Sequence, residues 1–380
     1  MAMNAAIADV RDGAAVDRLD GIDLARGLAV IGMFVVHVGG PIPDEGLVRN
    51  LMELTQGRSS ALFAVLAGFS IILITGRKEP KSGEAGRQAI DRVAIRALVL
   101  LALGSILTCL DTNVEVILEY YGICFLLVLP LHRLSAQQLG LLAAGTALVL
   151  PQVWFHLLSM SGPKGASFDP VFKLMVSGDY PALTWVPFVI AGMAIARLSL
   201  NTQAMHWRLG LAGVALAVLG YGGSWLALRL LPSVSAELAD LRELGQTPVL
   251  WWMNADAPYT ASWLWVAAPH SETTFSILGN TGCAMIVIAA CWLAMDALPH
   301  LRKLVWPIIA VGSMPLTAYV LHIVGIAYFK NLVGRDGSLS ILFGFVVVIS
   351  TFAVLWRRVF QRGPMEMLMV RIADLARHIR

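Results

Sequence analysis

Apolar runs of about twenty residues, separated by short polar or charged breaks, recur along the whole chain. A helix of that length crosses the hydrocarbon core of a bilayer. Ten such runs fall at approximately 22–40, 58–76, 93–110, 114–131, 138–157, 182–198, 208–230, 274–297, 304–328 and 338–357. The third and fourth are joined by Asp111-Thr112-Asn113, which predicts a tight hairpin. Pro151 lies late in the fifth and predicts a kink there. The pattern predicts an all-α polytopic membrane protein of about ten transmembrane helices.

Composition sharpens this. The 380 residues are 57% hydrophobic and 14% charged, and mean hydropathy is +0.72, which excludes an ordinary soluble domain. A net charge of +3 with no basic run among aromatics gives no case for nucleic acid. Cys109, Cys124, Cys283 and Cys291 sit in apolar runs without metal-ligand spacing and read as small apolar side chains, so no metal is expected. Asp9, Asp12, Asp17 and Asp20 make the first twenty residues too acidic for a secretory signal. The expected organisation is a cytoplasmic tail at 1–21, a single transmembrane domain at 22–357, and a tail at 358–380. In that tail Met365, Leu368, Met369, Ile372, Leu375 and Ile379 recur at helical spacing among arginines, as in a basic helix lying on the inner leaflet.

Lys and Arg set the orientation. With the N-terminus inside, the inner segments hold Arg77, Lys78, Lys81, Arg87, Arg92, Arg96, Arg133, Arg197, Arg208, Arg302, Lys303, Arg357, Arg358 and Arg362. The outer loops are poorer in both. This is the positive-inside pattern of an N-in, C-in protein in the inner (cytoplasmic) membrane. Two outer loops are long, 158–181 and 231–273. The second carries Trp251, Trp252, Trp263 and Trp265, which fit either an interfacial aromatic belt or a stacking platform for a sugar.

The first run carries the candidate chemistry. Residues 18–40 read RLDGIDLARGLAVIGMFVVHVGG, and Asp23, Arg26 and His37 are ionisable groups within it. Such groups inside a membrane helix usually face a cavity and mark a pathway or a reaction site. Arg26 and His37 are eleven positions apart, about three turns, so they share one face roughly 16 Å apart along the axis. A neutral imidazole suits proton abstraction from a hydroxyl or an amine. Arg26 is a permanent cation, and Asp23 is close enough on the same face to pair with it. That pair is either a structural anchor or a cationic mouth for an anionic donor.

Further candidates flank the outer ends of later helices. Arg58, Ser59 and Ser60 open the second run, either as an anion site or as simple N-caps. His270 and Glu272 enter the eighth, as an oriented imidazole, a sugar contact or a capping cluster. His322 lies in the ninth, where it is either a packing residue or an oxyanion donor. No internal repeat is visible.

Arg26-x10-His37 resembles the first-helix signature of acyltransferase-3 type membrane acyltransferases. Asp-Leu-Ala-Arg-Gly at 23–27 resembles the opening of the heparan-alpha-glucosaminide N-acetyltransferase catalytic domain, and 60–70 resembles the second helix of both families. Gly312-Ser-Met-Pro-Leu-Thr-Ala-Tyr319 and Gly363-Pro-Met-Glu366 resemble the C-terminal half of the YeiB-like (DUF418) proteins. The resemblance implies a transmembrane acyltransferase that takes an acyl group, most simply acetyl, from cytoplasmic acyl-CoA. By that resemblance His37 is the catalytic base and Arg26 a contact to the CoA donor. The reading of the residues adds Asp23 as a second catalytic candidate, Arg77 as a second donor contact, and Arg58, Ser59, His270, Glu272 and His322 as acceptor contacts. The heparan branch carries Asn at the His37 position and a histidine in the following loop. Loop 41–57 here has no histidine, which assigns the base to His37.

The expected reaction is single-displacement transfer to a hydroxyl or amine of a glycan, glycolipid or small sugar-containing acceptor on the outer side, through one tunnel from Arg26 to His37. A transporter of an anionic metabolite and a non-enzymatic envelope scaffold are the rival readings. The first lacks the repeats such proteins show. A homodimer is left open.

Overall fold

A computed structural model of the chain describes residues 2–77, 79–160, 169–200, 202–243, 260–330 and 337–374. Among them every regular element is helical. The main helices are α1 Ala2–Val38, α2 Leu47–Thr55, α3 Arg58–Thr75, α4 Gly83–Thr108, α5 Ile117–Val128 and α6 Ala136–Met160. They continue as α7 Ala182–Arg197, α8 Gln203–Ala217, α9 Gly223–Leu230, α10 Pro232–Glu243 and α11 Thr274–Ala297. The last are α12 Trp306–Gly312, α13 Pro315–Tyr328, α14 Leu339–Arg357 and α15 Pro364–Ala373.

Each of the ten apolar runs forms helix. Six of the resulting elements are long and apolar enough to cross a membrane, or eight if each of two bent pairs counts as one span. The protein is therefore a multi-pass membrane protein. The two runs outside that count are α4 and α5. The first half of α4 carries Arg87, Asp91, Arg92 and Arg96, and α5 has only 12 residues before a 3-10 turn at Leu129–Arg133. The ninth run is broken: α12 and α13 meet at 90°, because Pro315 opens α13 and cannot extend a helix through Ser313 and Met314. Pro151 sits inside α6 without dividing it.

The centre of the bundle is α1, α3 and α11, each with more than half of its spanning window buried, whereas α6 and α14 are mostly open to the surroundings. Close approach at the centre depends on glycine, as is usual where apolar tails give helices no hydrophobic reason to associate. A Cβ on Gly312 would lie 1.6 Å from the Asp23 carbonyl oxygen, so α12 rests directly on the α1 backbone. Gly68 and Gly192 do the same for α3 and α7, at 1.9 and 1.8 Å from the Val189 and Val65 carbonyl oxygens.

The DUF418-like motifs interlock. Glu366 of α15 accepts from the backbone N–H groups of Leu316 and Thr317 at 2.8 and 3.1 Å and from the Thr317 hydroxyl, capping the start of α13. The tail thus begins with a helix that fastens the break in the ninth run. The rest of the expected amphipathic stretch, from Leu375 on, lies outside the described residues.

Candidate active site: a histidine pair and a capped arginine on one helix

α1 is unbroken from Asp23 to Val38, so Arg26 and His37 stand on one stripe as the spacing required. At the His37 end, His37 Nδ1 and His322 Nε2 are 2.9 Å apart. The two rings are nearly parallel, 5.2 Å between centroids and 11° between planes. His322 is fully buried and is bracketed by Phe34 and Tyr319, each with its ring 4.9 Å away. The Tyr319 hydroxyl accepts from the Ile117 N–H at 3.2 Å, which ties that bracket to α5. His37 itself is only half-buried.

His270 and Glu272 belong to the segment leading into α11, and both have positive φ, 56° and 60°. Non-glycine residues hold that conformation only when their surroundings impose it. Here the surroundings are aromatic. The His270 ring packs edge-on to Tyr180 at 5.2 Å and over Trp185 at 6.0 Å. Glu272 accepts from Trp185 Nε1 at 3.1 Å and from the Thr184 hydroxyl. Burial raises its pKa from 4.5 to about 7, against the pull of those two donors, and burial lowers that of His270. Capping in this cluster falls to Thr273, whose hydroxyl accepts from the Ser276 N–H at 3.1 Å. His37 and His322 thus form one pair, and His270 packs separately against Tyr180 and Trp185.

At the other end of the stripe, Arg26 donates to Asp23 at 3.0 Å and to the Ser70 hydroxyl of α3 at 2.9 Å. Asp23 also feels Arg357 of α14, whose guanidinium lies 5.0 Å over the Trp306 ring. Arg77 follows the end of α3 at this same side, and its carbonyl accepts from Arg197 at 3.0 Å.

Arg58 and Ser59 each have partners of their own. Arg58 donates to the Glu53 carbonyl at 3.0 Å and lies 4.9 Å over the Tyr221 ring. Ser59 is buried against Gly32 of α1. Neither Ser59 nor Ser60 caps α3, since the cap position is Gly57 and no side chain bonds there. Trp263 is fully buried in a satellite core with Leu238, Val266 and Ala268 and donates to the Ser271 carbonyl at 2.9 Å. It therefore braces the His270 segment and offers no exposed stacking face. Trp251 and Trp252 lie outside the described residues. Among the described residues no His, Cys, Asp and Glu cluster could hold a metal ion.

Between Arg26 and His37 the stripe carries Val30, Met33 and Phe34 at 0, 4 and 0% exposure. Apolar side chains therefore fill the stripe between its two ends. Sequence spacing could place the two ends but could not say what filled the middle.

Such a site defines a class: a polytopic membrane protein that buries an accessible imidazole at one end of its central helix and a braced guanidinium at the other. Comparison with known families makes the assignment specific. The model of the heparan-alpha-glucosaminide N-acetyltransferase catalytic family matches residues 18–225, more than half of the chain, and the chain belongs to that family. The model of a family of unknown function, DUF418, matches residues 245–375. No curated protein matches the chain. The first match contains Arg26 and His37 and the second contains His270 and His322, so the histidine pair joins the two matched regions across 285 positions.

Proposed function

We propose that this protein is a transmembrane acyltransferase that moves an acetyl group from cytoplasmic acetyl-CoA to a hydroxyl or amine of a sugar-containing acceptor, with His37 as general base. The observation that carries this reading is the free edge of His37. Its Nδ1 is engaged by His322, while Nε2 has no partner among the described residues and is not among the buried unpartnered atoms. A base needs that arrangement: one nitrogen held, the other open to the proton it removes.

In this reading the acceptor oxygen or nitrogen attacks the thioester carbonyl as His37 Nε2 takes its proton. The tetrahedral intermediate expels the CoA thiolate, the C–S bond breaks, and the imidazolium returns its proton to the sulfur. The ester or amide stays with the acceptor, and free thiol leaves. His270 is assigned to polarise the oxyanion. Tyr180 and Trp185, both buried, hold the His270 ring in place beside the acceptor site. At the opposite end Arg26, held by Asp23 and Ser70, and Arg77 supply cations for the phosphates of the donor. The closed stripe means that Met33 changes rotamer when the pantetheine arm enters, a movement an unbranched thioether makes readily.

The same reading takes the ten helical runs as ten passes with both termini in the cytoplasm, one transmembrane domain at 22–357 and a protein of the inner membrane. The positive-inside distribution supports it.

The test uses the full chain in lipid nanodiscs, with radiolabelled acetyl-CoA and a glucosaminide as probe acceptor. Label should pass to the sugar in the wild type and not in His37→Ala. Transfer by a folded His37→Ala protein would remove His37 from the mechanism, and CoA-independent sugar flux in proteoliposomes would favour a transporter.

A further inference from the structure

We infer that the cleft between α6 and α8 holds one acyl chain of an anionic phospholipid, drawn from the leaflet on the Arg26 side. The cleft has a volume of about 310 Å³, at the small end of the range for ligand pockets. α6 and α8 contribute to its lining together with α7 and α11. Thr281 of α11 supplies the one hydroxyl of a lining otherwise made of Ala, Gly, Pro, Leu, Ile and Met.

The small residues of α6 leave room here and do not serve helix contact. Gly68 and Gly192 are small because a neighbouring carbonyl stands 1.9 and 1.8 Å from the place of a Cβ. Gly140 lines the cleft, yet a Cβ on it would meet nothing within 4 Å. Gly140 and Ala144, another lining residue, are exposed, so the cleft opens sideways from α6. α6, and the span that α8 begins, each have only 17% of their membrane window buried within the protein. What lies beside them at that depth is hydrocarbon.

Three properties of the cleft select its occupant. One hydroxyl cannot hold an ordered water, which needs two to four polar partners, and an empty cleft would forfeit the dispersion contacts of its lining. A narrow apolar chain satisfies both. The length also fits: Ala136 to Ala147, the limits of the lining on α6, is eleven residues, or about 16 Å of helix, which is the depth of one leaflet of a hydrocarbon core about 30 Å thick. The charge at one end completes the match. Arg133 stands three residues before Ala136, and Arg208 immediately before Leu209, which lines the cleft from α8. Both arginines are exposed, and neither forms an ion pair among the described residues. Arg197 shows which end this is. It donates to the His132 carbonyl, and to the carbonyls of Gly76 and Arg77 at 2.6 and 3.0 Å, so Arg133 lies level with the turn that follows α3. Two guanidiniums at that boundary select a phosphate headgroup. The site is independent of the proposed acyl transfer.

The experiment is native mass spectrometry of the full-length protein released from nanodiscs of dioleoyl phosphatidylglycerol and dioleoyl phosphatidylcholine in equal amounts. The wild type should retain one phosphatidylglycerol, preferred about thirtyfold over phosphatidylcholine, as expected for two arginines near a membrane surface. Gly140→Phe, which fills the cleft, should lose most of that lipid, and Gly140→Leu carries the same comparison if the larger side chain impairs folding. Gly145→Phe should keep it, because Gly145 is also free of neighbours within 4 Å and lies on the same helix outside the lining. Arg133→Gln combined with Arg208→Gln should keep a bound lipid and lose the preference for phosphatidylglycerol. A wild type that retains no lipid or shows no headgroup preference, or equal retention in both Gly140 variants, overturns the inference. Displacement of the lipid by equimolar palmitoyl-CoA or palmitate would give the cleft to another occupant and would overturn it as well.

Discussion

The Glu366 carboxylate seizes the start of α13 at Thr317, taking both the backbone N–H and the hydroxyl of that residue. The residues lie 49 positions apart and belong to different helices. A capping side chain of this kind contributes about 1–2 kcal/mol. Glu366→Ala should therefore lower the thermal unfolding midpoint in detergent, and Glu366→Gln, which keeps one acceptor oxygen, should lower it less. Equal midpoints for all three proteins would show that the break needs no cap.

Gly312 offers a steric test. The Asp23 carbonyl oxygen occupies the place of any side chain at this position, and overpacking of that kind costs about 1–3 kcal/mol or more. Gly312→Ala should reduce the yield of monodisperse protein severalfold. Gly344→Ala on α14, where a Cβ meets nothing within 4 Å, should not. Size-exclusion profiles of the two variants make the comparison.

Glu272 makes stability depend on pH. Its folded pKa of about 7 lies above the ordinary 4.5. Between those values the folded state holds a proton that the unfolded state has released, so stability is fully present below 4.5 and falls as pH rises through 7. The displacement corresponds to on the order of 3 kcal/mol. Glu272→Gln should unfold at a higher temperature than the wild type at pH 8 and at the same temperature at pH 4.5. A difference that does not change with pH would mean that Glu272 stays ionised throughout.

Met33 tests the proposed route of the donor. Met33→Trp should cut acetyl transfer at least tenfold, because it fills the stripe that the proposed donor crosses, and should also lower the melting midpoint, since overpacking a buried site costs about 1–3 kcal/mol. Met33→Ala should not slow transfer. A fully active Met33→Trp would place the thioester's path elsewhere.

The helical runs and the placement of Asp23, Arg26 and His37 on one face were legible from apolar periodicity, because a continuous helix converts spacing into geometry. The family was legible for a related reason: its motifs are short but lie in order along α1 and α3. What escaped was long-range. Nothing in the spacing pairs His322 with His37 across 285 positions, or sets Arg58 over the Tyr221 ring. The 90° break at Ser313-Met314 had a visible cause in Pro315, yet hydropathy ran straight across it. Trp263 read as part of an interfacial belt or a stacking platform, since aromatic residues in a loop carry no mark of the core they fill.

Val30, Met33 and Phe34 have one more effect. A file of water running from a cationic end to a histidine would conduct protons, and a bilayer protein that did so would discharge the gradient its cell maintains. Three buried apolar side chains stand where such a wire would run, between the ionisable groups at the two ends of the helix.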